Sequence, residues 1–265
     1  MRPETWAAAI EEYVYALKAA RRAASTIRVY RHYLRHLSQL AATPWHVTIR
    51  DLNRALSPGQ WSAETAKTAR TTYVGFYRWA LLSGYIDVDP ALRLAPITVP
   101  PPAPRPAPES VLAVALSAAD DRTTLMLRLA AFGGLRCAEI ASVHAEAFDG
   151  ELLRVVGKGD KKRDVPVLDD MIINALTSTR GFLFPSDRSP TGHLSPGHVS
   201  KLMSRVLPGA WTGHTLRHRF STRSYDENPD LLSLCKVMGH ARPETTLRYT
   251  RISNDKLRAV VAAAQ

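Results

Sequence analysis

The sequence predicts a mainly α-helical chain with one small β-hairpin, built as a four-helix N-terminal domain followed by an α+β domain. Three observations carry this. Apolar residues recur at helical spacing through residues 1–95, a proline-dense run fills residues 96–108, and a pair of short β-rich segments around Gly157–Lys162 interrupts the helical patterns of the remainder.

In the first 95 residues, Trp6, Ile10, Tyr13, Val14 and Leu17 mark a helix over 4–21. Ser25 is read as the N-cap of a second helix reaching Leu40, with Ile27, Tyr30, Leu34 and Leu37 on its apolar face and Arg28, Arg31, His32 and Arg35 opposite. A short helix over 49–56 precedes a longer one that Ser62 opens and Gly84 ends. There Val74, Phe76, Tyr77, Trp79 and Ala80 pack, and Lys67, Arg70 and Arg78 face solvent. A basic face on one helix is ordinary solvated surface. Repeated on two helices, with tyrosines and Thr71 and Thr72 nearby as neutral donors, it becomes a candidate phosphate-contacting surface.

Residues 96–108 form the interdomain linker. So much proline neither continues a helix nor joins a sheet interior, and it favours extended polyproline II, in which about 13 residues span up to roughly 40 Å. Such a strap either lets two domains grip opposite sides of a duplex or is an inert spacer.

The second half opens with helical patterns over 109–119 and 122–132, broken by Gly133-Gly134. The helix that starts at Leu135 places Arg136 and Glu139 one turn apart on one side, with Arg136 in the first turn, where a side chain can meet an anion. Leu152–Val156 and Arg163–Val167 flank a Gly/Asp/Lys turn and predict a hairpin whose tip carries Lys158, Lys161 and Lys162. A helix over 169–176 follows, then the apolar run Phe182-Leu183-Phe184-Pro185, read as a core strand-like segment. Ser195-Pro196 starts a helix to about Leu207. Beyond Gly213, a helix beginning near His214 puts His214 and Arg217 on one face and continues the basic character through Arg219 and Arg223. A short helix over 229–237 ends at Gly239, and Pro243-Glu244 starts another that leads to Tyr249.

Lys and Arg number 35 against 24 Asp and Glu, a formal net charge of +11 with pI near 9.9. The excess is shared, with 13 basic against 7 acidic residues in 1–95 and 22 against 17 in 96–265. Such a balance points to a polyanion, nucleic acid before an acidic membrane. No apolar run approaches the roughly 20 residues of a spanning helix, and Met1–Glu4 leads into an amphipathic segment rather than a signal peptide, so a cytoplasmic location and no membrane partner are expected. Cys137 and Cys235 form no CxxC and read as reduced residues in or near the core. His214 and His218 stand at i, i+4, but the glutamate of an HExxH helix is replaced by Thr215 and no further ligand lies at suitable spacing. No metal and no cofactor are expected.

His214, His240, Arg217 and Tyr249, all in the run 214–250, are the kinds of group that phosphodiester chemistry uses. Arginine forks onto non-bridging oxygens, histidine donates or moves a proton, and a tyrosine hydroxyl can attack phosphorus. Taken in order, Gly134-Leu135-Arg136-x-x-Glu139, Gly157-Lys158-Gly159, His214-x-x-Arg217, Gly239-His240 and Tyr249 nine residues later resemble the tyrosine recombinases, the phage integrase family. The resemblance covers 109–252, and residues 1–95 are similar to that family's core-binding domain. The match is to the simpler form without an N-terminal arm-binding domain. Met238, Arg251 and Asn228-Pro229 depart from the usual pattern, at positions that touch no reacting group.

The resemblance implies a site-specific DNA recombinase that cleaves and rejoins through a 3′-phosphotyrosyl intermediate without ATP or metal. Tyr249 is the expected nucleophile, Arg136 and Arg217 the clamp on the non-bridging oxygens, and Lys158 the general acid, with Lys161 as its substitute. His214 would take the tyrosine proton, His240 would donate to the phosphate, and Glu139 would orient its neighbours. DNA contacts are expected from Arg28, Arg31, Arg35, Lys67, Arg70, Arg78, Lys161, Lys162 and Arg219. The implied partners are double-stranded DNA with a specific core site and a homotetramer on two duplexes working through a Holliday junction, with room for an accessory DNA-bending or directionality protein. The tail 253–265 carries Leu257, Val260 and Val261 at helical spacing and either folds on its own domain or packs in trans. The rival readings are a type IB topoisomerase-like nicking-closing enzyme and a catalytically silent DNA-binding regulator.

Overall fold

The structure, a computed structural model, describes residues 2–57, 59, 61–100, 103–157 and 160–239. Lys158, His240, Tyr249 and the tail 253–265 lie outside the described residues. The chain divides into two units between Pro101 and Pro102.

The first unit contains α1 (Trp6–Ala19), α2 (Ala24–Ser38), α3 (Ile49–Leu56) and α4 (Ala63–Leu82). Their starts follow from side-chain caps. Thr5 accepts from the Ala8 amide at 3.2 Å and Ser62 from the Thr65 amide at 3.2 Å, while Thr48 and Asp51 cap α3 reciprocally. Ser25 is not the cap of α2: the helix starts at Ala24 behind Ala23, with no side-chain cap. The reason lies in how α1 ends. Arg21 adopts a left-handed φ of 54°, and the Arg22 and Arg21 amides return to the Leu17 and Lys18 carbonyls, so the chain has already reversed when it reaches Ala23. An arginine at this position carries a steric cost that glycine avoids. Arg21→Gly is therefore expected to raise stability by about 0.5 to 1 kcal/mol, read as a higher urea midpoint.

Apolar faces of the four helices meet in a core of Trp6, Tyr13, Leu34, Leu37, Leu52, Tyr73, Phe76 and Tyr77. Phe76 is its centre, with Trp6, Tyr13 and Tyr77 rings at 5.9, 5.4 and 5.1 Å. Ala69 and Tyr73, not picked out in the sequence, are fully buried on α4 beside the expected Phe76, Tyr77 and Ala80.

The second unit runs α5 (Glu109–Ala118), α6 (Asp121–Ala131), α7 (Cys137–Ala141), a 3-10 turn (Ala145–Ala147), β1 (Leu152–Val156), β2 (Lys162–Pro166), α8 (Asp170–Ser178), α9 (Pro196–Val206), α10 (Gly213–Glu227) and α11 (Leu231–Met238). Strands β1 and β2 pair antiparallel, with Leu153 opposite Val165 and Val155 opposite Arg163. Phe182–Pro185 makes only isolated bridges, His144 to Phe182 and Pro185 to His193, although Phe184 is fully buried. The core gathers Met126, Leu127, Leu129, Leu153, Val165, Phe184, Met203 and Leu216. Burial of each such side chain contributes about 1.5–3 kcal/mol.

Helix α10 is the axis of this unit, packed by α6, α9 and α11. On its packed faces Thr215, Leu216, Arg217, Arg219 and Ser221 are all buried, while His214, Arg223, Asp226 and Glu227 are exposed. The second half of the proline-rich run also lies on it, since the Ala107 amide donates to the Thr215 carbonyl at 3.0 Å. Cys137 and Cys235 form no disulfide.

Candidate phosphate-binding site

Sequence motifs about a hundred residues apart meet at one buried carboxylate. Glu139, 3% exposed, sits at the third position of α7 and accepts the backbone N–H of Arg136 at 2.8 Å, which makes Arg136 the N-cap rather than a first-turn residue. The extended backbone at Arg136 makes the helix begin at Cys137, two residues after the expected start at Leu135. Three guanidinium groups then converge on Glu139. Arg163 binds it through both forks at 2.7 and 2.9 Å, Arg136 Nη1 donates at 2.9 Å, and Arg217 Nη1 lies at 3.7 Å.

The same three arginines hold the C-terminal end of α11. Arg163 Nε donates to the Val237 carbonyl at 2.7 Å, and Met238 O accepts from Arg217 Nη2 at 2.5 Å and from Arg136 Nη1 at 3.4 Å. Cations suit that end, where unpaired carbonyls concentrate negative partial charge. Arg217 also donates to the Gly134 carbonyl. Gly134 has a φ of 64°, and a Cβ there would stand 2.6 Å from the Phe220 ring, so the Gly133-Gly134 break is required by packing as well as by conformation.

Burial alone would raise the Glu139 pKa. The Arg163 hydrogen bond, the Arg136 amide and the charges of both arginines prevail and bring it to about 2. The ionised carboxylate thus faces three permanent cations, an excess of two positive charges in a small volume. Arg136 is the accessible member, with its side chain 38% exposed, whereas Arg217 is 2% exposed. An anion with several oxygens is the complementary ligand.

His214 lies in the first turn of α10, one turn before Arg217. Desolvation, then the charges of Arg217 and Arg136, hold its pKa below the ordinary histidine value, which favours a neutral ring able to accept a proton. The ring of His218 lies 4.3 Å away. Desolvation and the neighbouring His214 bring His218 down to about 4. Among the described residues no three His, Cys, Asp or Glu side chains gather as a metal site.

Gly239 ends α11 with a φ of 61°, and a Cβ there would lie 2.9 Å from Arg163 Cδ. Gly239→Ala is expected to cost about 1–2 kcal/mol in urea unfolding, through backbone strain and displacement of Arg163 from Glu139.

Arg136, Glu139, His214 and Arg217 are therefore brought together as the motifs predict, while Lys158, His240 and Tyr249 lie outside the described residues. Arg163 was missed. Its signal was the alternation of β2, in which Lys162 and Asp164 point outward and Arg163 shares a face with buried Val165. Two expected DNA contacts are corrected. Arg219 is 5% exposed and bound to Glu109 at 2.5 Å, because it lies on the face of α10 that packs on α6, where it also donates to the Ala131 carbonyl at 3.3 Å. Arg70 is half-buried and donates to the Ala95 and Leu94 carbonyls, both at 2.7 Å, tying down the chain that leaves the first unit. Arg28, Arg35, Lys67, Arg78, Lys161 and Lys162 are exposed. Arg31 pairs with Glu11 at 2.5 Å, yet with Lys18, Arg28, His32 and Arg35 it lines one open groove.

Comparison with known proteins matches residues 109–256 to the phage integrase family. A tyrosine recombinase XerC of Myxococcus xanthus is 29% identical over 254 residues, covering 86% of this chain and 84% of that protein. A tyrosine recombinase XerD of Caulobacter vibrioides is 31% identical over 240 residues, covering 78% and 75%. Among solved structures, a lambda integrase dimer bound to a COC′ core site aligns with TM-score 0.73 at 18% identity, over 91% of this chain and 75% of that one. XerH site-specific recombinase bound to difH substrate, in a pre-cleavage complex, aligns with TM-score 0.68 at 19% identity, over 92% and 81%. These two establish a shared fold. With more than half its length matched and its arginines gathered on one carboxylate, the chain belongs to the phage integrase family, the tyrosine recombinases.

Proposed function

We propose that this tyrosine recombinase is a site-specific DNA recombinase whose phosphate-binding centre is the arginine cluster around Glu139. The observation that carries the reading is the convergence of Arg136, Arg163 and Arg217 on a single buried carboxylate beside His214. In the reaction, the Tyr249 oxygen attacks the scissile phosphorus, a P–O(tyrosine) bond forms and the P–O5′ bond breaks. The result is a 3′-phosphotyrosyl link and a free 5′-hydroxyl. His214 takes the tyrosine proton and Lys158, or Lys161 in its place, protonates the departing oxygen. Arg136 and Arg217 stabilise charge on the non-bridging oxygens and His240 adds a donor there. Arg163 and Glu139 set the guanidinium planes. Attack by a 5′-hydroxyl on the phosphotyrosine reverses the step, so the phosphodiester bond energy is kept and no ATP is consumed.

The open groove of Lys18, Arg28, Arg31, His32 and Arg35, with Lys67 and Arg78, supplies phosphate contacts from the first unit, the core-binding domain. Four protomers act on two duplexes through a Holliday junction, in keeping with a lambda integrase tetramer solved on such a junction. An accessory DNA-bending or directionality protein selects the direction. The protein works in the cytoplasm, and no described helix is long and apolar enough to cross a membrane. The relatives and structures compared are recombinases and integrases, which favours strand exchange over a nicking-closing enzyme or a silent regulator.

The test starts from a duplex selected by binding from a randomised pool and nicked at successive positions to trap the cleaved state. Incubation in EDTA is expected to give a denaturation-resistant protein–DNA adduct, with the modified peptide mapping to Tyr249. Tight, sequence-specific binding with no adduct at any nick position would overturn the reading.

A further inference from the structure

The proline-rich run does more than join two units. Residues 103–108 read Ala-Pro-Arg-Pro-Ala-Pro, so the three prolines remove every second amide donor and leave those of Arg105 and Ala107 between them. Both remaining donors are spent on α10. The Ala107 amide binds the Thr215 carbonyl at 3.0 Å, and the Arg105 amide binds the Nδ1 atom of His218 at 3.3 Å. Thr215 and His218 are one turn apart, so the strap meets a single face of the helix. It is fixed at both ends as well. The Arg105 guanidinium stacks 4.2 Å over the Trp211 ring, and Glu109 is held by Arg219 at 2.5 Å and Arg223 at 2.9 Å.

The contact with His218 has a chemical consequence. A ring nitrogen that accepts a hydrogen bond carries no proton, so the Arg105 amide selects the neutral His218 tautomer protonated at Nε2. The His218 ring then lies edge-on against His214, with centroids 4.3 Å apart and planes at 63°. His214 comes from the exposed start of α10, and His218 gives it a wall on the side toward the strap.

We infer that His218 is a positioning residue, set by the Arg105 backbone amide, which holds the His214 imidazole in place, so that the seating of the interdomain strap governs the proton-transfer step. This rests on the reading above that His214 receives the proton of Tyr249. The strap is then a part of the site, and pulling it off α10 releases a neighbour of the reacting group without removing any group that touches phosphate.

Proline substitution at position 105 deletes one hydrogen-bond donor from a run already rich in proline, and Arg105→Ala is its reference, since both lose the guanidinium and only Arg105→Pro loses the amide. The first measurement needs no DNA. Long-range proton–nitrogen correlation spectra of the full-length chain labelled at histidine nitrogen, at neutral pH, are expected to show His218 protonated at Nε2 in the wild type and in Arg105→Ala. The Nδ1-protonated form is expected to appear in Arg105→Pro. A wild-type His218 protonated at Nδ1 would overturn the inference.

The second measurement is single-turnover adduct formation on the selected duplex. Arg105→Pro is expected to cleave about 10-fold more slowly than Arg105→Ala, with duplex affinity within about twofold. A second pair guards against misfolding. His218→Leu fills the space without an acceptor and is expected to slow cleavage by about the same factor, and His218→Asn, which can present an oxygen to the Arg105 amide, recovers most of the rate. Equal rates for Leu and Asn, or for Pro and Ala at position 105, would sink the inference. If the wild type forms no adduct on any duplex, the reaction assigned to Tyr249 and His214 fails, and with it the link to proton transfer. The tautomer spectra would still decide whether the strap sets His218.

Discussion

Glu139→Ala is expected to destabilise the protein by about 3–5 kcal/mol at neutral pH, because it leaves buried cations without their counter-charge. Arg136, Arg163 and Arg217 are all paired to Glu139, which is 3% exposed, so water cannot screen the repulsion that its loss releases. Glu139→Gln separates charge from packing. The folded-state pKa of about 2 lies below the ordinary 4.5. A depressed carboxylate pKa contributes stability that is fully present above pH 4.5 and is lost as the pH falls from there toward 2. At about 1.36 kcal/mol per unit, that contribution is about 3 kcal/mol. Urea unfolding of the wild type and of Glu139→Gln should therefore differ most at neutral pH and converge below pH 4.5. A stability difference that does not change with pH would show that the carboxylate's charge is not what holds the arginines.

This carboxylate also shows what the sequence made legible. The spacing of His214 and Arg217 follows from helical geometry, so that pair could be placed on one face from local pattern alone, whereas Arg136 and Glu139 meet as the N-cap and third residue of α7. The meeting of the two pairs across α7 and α10 could not be placed so, because chain pattern carries no distance between segments, and it was the ordered match to a family that joined them. The errors share one cause. Arg219 and Arg70 were taken as outward-facing because arginine is usually solvated. Yet Arg219 lies on the face of α10 that packs on α6, and Arg70 lies where the chain leaving the unit offers bare carbonyls. Arg163 escaped for the converse reason. In a lysine-rich turn its charge looked like more surface, while the two-residue period of β2 had already turned it inward. Elements that bury one face were read well, as the aromatic core around Phe76 illustrates. Residues whose neighbours come from elsewhere in the chain were not.

Arg217→Lys is expected to lower the rate of adduct formation by about 10²–10³-fold, the loss that follows removal of one preorganised donor to a developing oxyanion. The substitution keeps the positive charge, so the deficit measures geometry. Arg217 holds its plane by donating from Nη1 to the Gly134 carbonyl and from Nη2 to the Met238 carbonyl, two acceptors on opposite sides of the site. An ammonium group is a point charge on a flexible stem and cannot reach both while also facing a phosphate oxygen. One buried carbonyl is then left without its donor, at a cost of about 1–3 kcal/mol in stability, so the rate must be measured where the variant is fully folded. Duplex affinity should change little, because Lys67, Arg78, Lys161 and Lys162 are exposed and untouched by the change. Arg163→Lys provides the contrast. Among the described residues Arg163 is bound to Glu139 and the Val237 carbonyl, so its loss should cost stability comparably and cleavage less. Equal rate losses for the two variants would mean that Arg217, like Arg163, serves only to brace the cluster. The phosphate clamp would then rest on Arg136 alone.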